Sequence, residues 1–273
     1  MENFIFNKDL FKFEQHSFHL VNPSPWPIFT SLSLLSLALS FLLYFNLYLQ
    51  GFVYIIISFF LFCIFLTRWF IDIVIESTYE GHHTLQVQNG IKFGMILFIL
   101  SEVMFFSAFF WGFIHSSLVP SIEIGNVWPP LSIITLDAYG LPLVNTVILL
   151  SSGISVTWAH KAIINNNRVE VINGIITTVI YGLIFSFIQY YEYIEASFNI
   201  NDGIYGSLFF MLTGFHGFHV FVGSIFLIVC LLRHIFYHFN AKQHLGFECA
   251  IYYWHFVDVV WLLLFILVYV WSA

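Results

Sequence analysis

Apolar residues run through this chain in long blocks separated by short polar punctuation, and each block is close to the roughly 20 residues a helix needs to cross a bilayer. Seven such blocks fall near 28 to 49, 51 to 75, 91 to 118, 141 to 163, 172 to 195, 204 to 236 and 247 to 271. The pattern predicts an all-α integral membrane protein with seven transmembrane helices. The weakest break is Gln50-Gly51, but the stretch from 28 to 75 is too long for one span, so a tight hairpin is expected there. The chain then divides into an N-terminal segment (1 to 27), a two-helix bundle (28 to 75), a loop (76 to 90) and a five-helix bundle (91 to 273). The loop from 119 to 140, with Trp128-Pro129-Pro130, reads as irregular and interfacial. No internal repeat or inverted pair of spans is visible, which disfavours a secondary transporter.

Composition agrees with this reading. Of 273 residues 60% are hydrophobic and 8% charged, with mean hydropathy +0.89, against roughly 25% charged in soluble domains. Cys63, Cys230 and Cys249 lie in apolar stretches and are odd in number, so no disulfide framework is expected. Abundant Phe and scarce Ala, Arg and Pro suit an AT-rich, organellar or reduced genome. The N-terminus lacks the features of a signal or transit peptide, so no import is expected. The cations are Lys8, Lys12, Arg68, Lys92, Lys161, Arg168, Arg233 and Lys242, and with seven spans all lie in or next to the segments on the N-terminal side. The positive-inside rule then puts the N-terminus in the cytoplasm or matrix and the C-terminus outside.

Few ionisable residues interrupt the apolar blocks, and they carry the candidate chemistry. Glu102 lies in MILFILSEVMFFSAFFWGF, ten positions beyond Lys92, about 15 Å further along a helix and close to the midplane. A carboxyl at that depth faces protein, finds a partner or stays protonated. The sixth block has His216 and His219 in GFHGFHVFVG, and the seventh has His255 and Asp258 in WHFVDVVW, each pair one turn apart. The third, sixth and seventh spans are therefore expected to pack together, with Glu102 hydrogen-bonded to an imidazole, His216 first. Three readings stay open: a polar knot that fixes helix register, haem or metal ligation by histidine pairs, and ion translocation through this chain. His82-His83, beside Glu80, reads as a loop or interfacial element. No catalytic constellation, phosphate loop or metal triad is evident, and no nucleic-acid partner is expected.

A series of longer motifs adds a resemblance. HSFHLVNPSPWP (16 to 27), ESTYEGHHT (76 to 84), GMILFILSEVMFF (94 to 106), FFWGFIHSSL (109 to 118) and VWPP (127 to 130) are followed by LPLVNTVILLSSGISVTWAHKA, DGIYGSLFFMLTGFHGFHVFVGSIFLIVCLLR and YYWHFVDVVWLLLF. In this order they closely resemble subunit III of the haem-copper cytochrome c oxidases, in its mitochondrial form. The resemblance implies a non-catalytic subunit of respiratory complex IV in the mitochondrial inner membrane, N-terminus in the matrix and C-terminus in the intermembrane space. It implies no redox centre or metal in this chain, haem and copper in partner subunits, and contacts with subunits I and II, accessory subunits and respiratory supercomplexes. It also implies bound phospholipids in a V-shaped cleft between the first two helices and the last five. Glu102 matches the family's intramembrane carboxyl, His216 its sixth-span histidine, Arg233 a lipid-binding arginine and Trp69 a cleft tryptophan. Many relatives carry arginine where this chain has Ile71, and some another at Ile75; Arg68, one turn from Ile71, is offered as a replacement lipid contact. A stand-alone proton-coupled carrier using Glu102 is the alternative.

Overall fold

The computed structural model describes residues 16–272; residues 1–15, including Lys8 and Lys12, lie outside the described residues. Seven long helices dominate: α1 Trp26–Phe45, α2 Gly51–Thr78, α3 Leu85–Leu118, α4 Leu141–Ile164, α5 Arg168–Glu195, α6 Gly203–Ile235 and α7 Leu245–Leu264, which runs on as a π-helical turn, Phe265–Val270. All seven are long and apolar enough to cross a membrane. Their ends differ from the expected spans chiefly around α3, which starts at Leu85, so the loop expected over 76 to 90 shrinks to residues 79–84. Apolar content marks only the part of a helix that lipid can cover, whereas backbone hydrogen bonding continues into the polar zone. Thr84 caps the extension, its Oγ1 accepting from Val87 N–H at 3.5 Å and donating to the Ser17 carbonyl at 2.5 Å. At 34 residues α3 is about 51 Å long, well beyond a hydrocarbon core of roughly 30 Å.

The chain separates into two compact units, Met1–Ile91 and Lys92–Ala273. In the first, α1 packs on α2 through small polar side chains. The residues α1 buries are Thr30, Ser33 and Ser40, and those of α2 are Gly51 and Ser58. The large apolar side chains face outward, the inverse of a soluble helix pair and the arrangement expected where lipid is the solvent. The hydroxyls bond to their own helix, as Ser40 Oγ does to the Ser36 carbonyl and Ser58 Oγ to the Tyr54 carbonyl, both at 2.7 Å. Ser58 also reaches Ser40 across the interface at 3.3 Å. The hairpin at Gln50-Gly51 forms as expected, with Leu47 at φ 61°. Glycine is required at 51 because a Cβ there would lie 2.7 Å from Tyr44 Cα.

In the second unit α7 is the hub, packing on α4 and α6, while α5 bridges α4 and α6. The fully buried Trp254 and Trp261 of α7 set its centre. Their indole N–H groups donate to α4, Trp254 to Ser152 Oγ at 2.8 Å and Trp261 to Thr146 Oγ1 at 3.0 Å. Between α4 and α5 the backbones approach closely, since a Cβ on Gly174 would stand 2.8 Å from Ala159 Cβ. The hydroxyls of Ser155 and Thr178 close the same interface at 2.7 Å. Helix α3 joins this unit through aromatic side chains: Phe105 meets Phe215 of α6 edge-on at 4.8 Å, and Phe106 meets Phe256 of α7 at 6.2 Å.

Candidate functional site: the intramembrane carboxyl and its neighbours

Glu102 sits in the middle of α3, and its Oε2 is 3.0 Å from His219 Nε2 on α6. The other ring nitrogen, Nδ1, lies 2.6 Å from the Phe215 carbonyl oxygen, one turn earlier on α6. A carbonyl can only accept, so Nδ1 carries a hydrogen. The contact between Nε2 and Oε2 then requires one further proton, held either by the acid, which donates to the imidazole, or by an imidazolium, which donates to a carboxylate. In both forms the pair is neutral as a whole. That is how an ionisable side chain can be held at this depth without an uncompensated charge. Phe106 edge-on at 5.1 Å and Tyr253 stacked at 6.2 Å enclose the imidazole. The Glu102 side chain keeps 24% of its surface exposed, so the pair is open on one side.

This corrects the expectation that His216 is the partner. His216 is 1% exposed and lies between Phe185 of α5, at 5.5 Å, and Trp261 of α7, at 5.1 Å. Neither of its ring nitrogens has a hydrogen-bond partner among the described residues. The reason is rotational. Three residues turn a helix by about 300°, so positions sharing a broad face still differ by about 60°. On α6, wedged between neighbours, that angle sends His219 toward α3 and His216 toward α5.

His255 and Asp258 do pair, Nδ1 to Oδ2 at 3.6 Å, but on the α4 side of α7 and away from Glu102. His255 Nε2 reaches Thr157 Oγ1 of α4 at 3.3 Å. Asp258 lies against Gly153, where a Cβ would be 2.6 Å from Oδ2. The single cluster expected between the third, sixth and seventh spans is therefore two separate pairs, because α7 turns its polar stripe toward α4.

One buried acid was missed from the sequence. Glu192, in the last turns of α5, is 1% exposed, and its Oε1 accepts from Tyr269 O–H at 2.6 Å and from Gln189 Nε2 at 3.4 Å. Tyr193 and Thr213 share a hydrogen bond at 2.6 Å nearby in the chain, tying α5 to α6. The available signal was the pair Gln189 and Glu192 on one face; it was obscured because an acid near a span end reads as interfacial.

Among the expected lipid contacts, Arg68 and Trp69 are exposed on α2. The Arg233 guanidinium lies 4.5 Å over the Phe239 ring and against Gly246. The cysteines are free, Cys230 and Cys249 buried and Cys63 partly so. Two groups bring metal-ligating atoms within 4.8 Å of one another: His19, Glu76 and His83 in the first unit, and His160, His244 and Glu248 in the second. Around His82, the imidazole is 3.2 Å from Glu80 and stacks on His19 at 4.8 Å.

Comparison with known proteins agrees with the motif string along nearly the whole chain. The profile of the family described as Cytochrome c oxidase subunit III matches residues 16–273. A protein of Marchantia polymorpha named cytochrome c oxidase subunit 3 is 52% identical over 260 residues, covering 95% of this chain and 98% of its own. Proteins of the same name from Rattus norvegicus and Prototheca wickerhamii are each 51% identical, over 262 and 259 residues, covering 95% of this chain and 99% of their own. Seven membrane-crossing helices and a match of this extent leave one conclusion: the chain belongs to the cytochrome c oxidase subunit III family.

Proposed function

We propose that this chain serves as a core subunit of cytochrome c oxidase, the complex that passes electrons from cytochrome c to oxygen and pumps protons, and that it supports the redox subunits without carrying a redox centre itself. The observation that carries this is identity near one half, sustained over 95% of the chain, to proteins named as this subunit. Its partners are then subunits I and II, which hold the haem and copper, together with accessory subunits and supercomplex neighbours. Its place is the mitochondrial inner membrane, with the N-terminus in the matrix. The sorting of Lys161, Arg168, Arg233 and Lys242 to helix ends on one side supports that orientation.

Within the complex, Glu102 and His219 act as a charge-neutral bolt between α3 and α6. Arg233, Trp69 and Arg68 hold phospholipid, an arginine fork being suited to phosphate. The stand-alone carrier receives no support, since the relatives above are named as oxidase subunits. Affinity purification of the tagged chain in mild detergent tests the assignment. Haem and copper should co-purify in fixed proportion. A haem-free chain that moves protons alone in liposomes would replace this reading with the carrier.

A further inference from the structure

At the end of the second unit where α4 finishes and α7 begins, His160, His244 and Glu248 converge from two helix termini. Their donor atoms lie within 4.8 Å of one another, and His244 Nε2 is 3.5 Å from Glu248 Oε1. Tetrahedral zinc with ligands at 2.0–2.1 Å sets neighbouring donors about 3.4 Å apart. One edge of the triangle is thus already at coordination length, and the others close with shifts of about an ångström.

The surroundings fix both ligands in the form a metal needs. His244 Nδ1 lies 3.1 Å from the Asn240 carbonyl and must donate to it, which leaves the Nε2 lone pair facing the carboxylate. Two electron-rich atoms held face to face call for a cation between them. Glu248 presents Oε1 because Oε2 is occupied by Lys92 Nζ at 2.5 Å. Such outer-shell partners orient metal ligands generally. A proton on His244 would satisfy that single contact but would give no role to the third donor. His160 meets His244 edge-to-face with ring centroids 5.5 Å apart, offering a second imidazole to the same point.

We propose that His160, His244 and Glu248 bind a divalent cation of the zinc class, with water as fourth ligand, clamping the end of α4 to the start of α7. Two imidazoles select such an ion over calcium or magnesium. Lys92 holds Glu248 through Oε2 and leaves Oε1 as the oxygen that would face the ion.

The test uses the intact oxidase complex and Zn²⁺ itself. Equilibrium dialysis with radioactive zinc should find one bound ion fewer per complex in His160→Ala than in the wild type, and excess Ca²⁺ should not displace that ion. A density map of the zinc-loaded wild-type complex should show a peak among the three side chains, which decides the matter even if the variant fails to assemble. An empty position in that map, full zinc content in an assembled His160→Ala complex, or displacement by Ca²⁺ would each overturn the proposal.

Discussion

With Nδ1 of His219 committed to the Phe215 carbonyl, the side chain at 102 must either supply or accept the proton at Nε2, and this determines which substitutions can stand in for glutamate. Glutamine can donate through its amide, so Glu102→Gln keeps the link between α3 and α6. Leucine cannot, and Glu102→Leu leaves a buried ring nitrogen of His219 unpaired at a cost of about 1–3 kcal/mol. The midpoint for thermal release of this subunit from the purified complex should therefore fall clearly in Glu102→Leu and little in Glu102→Gln; equal midpoints would remove the hydrogen bond as the cause. A second pair of variants separates the two histidines. Among the described residues His216 makes no hydrogen bond through its ring nitrogens, so His216→Leu exchanges one buried side chain for another of similar volume, within about 1.5 kcal/mol. His219→Leu strands Glu102 and should release the subunit at distinctly lower temperature. If His216→Leu proved the more damaging, the assignment of His219 as partner would be wrong.

At the scale of elements, helices meet where small side chains admit the neighbouring backbone. Gly174 touches Ala159, so Gly174→Ala should force α5 away from α4 at a cost of about 1–3 kcal/mol. Among the described residues Gly217 of α6 has nothing within 4 Å of a Cβ position, and Gly217→Ala should leave stability unchanged or raise it by up to about 1 kcal/mol through helix propensity; comparing the two melting points checks that contact, not composition, is responsible. The π-helical turn after α7 is held by Tyr269, whose hydroxyl donates to Glu192. Among the described residues, Tyr269→Phe leaves that carboxylate oxygen with only the longer bond from Gln189, a loss of about 1–3 kcal/mol. Hydrogen exchange at residues 265–270 should accelerate in this variant while exchange in α4 stays as it was; uniform acceleration would point to global loosening instead.

For the molecule as a whole, the cation distribution predicts a topology that can be measured directly. In a background without native cysteines, Lys242→Cys should react with an impermeant maleimide from the matrix side only, and Asn126→Cys only from the other; labelling of both from one side would break the seven-span arrangement. The number and order of helices were legible because a bilayer imposes a length on apolar runs, and α1 to α7 follow those runs to within a few residues except where α3 extends into polar sequence. The chemistry was half legible. Glu102 announces itself by its cost in lipid, but the choice between His216 and His219 rests on a rotation of about 60° that only the packed neighbours of α6 decide. Glu192 was hidden by its nearness to a helix end, and the Lys92 to Glu248 contact joins residues whose proximity no local pattern encodes. The Glu102 to His219 link has a last consequence. Moving one full charge through a membrane potential of 100 mV involves about 2.3 kcal/mol, yet a couple whose charges sum to zero experiences no net pull along the field. An energised membrane can thus build up its voltage without prising α3 away from α6.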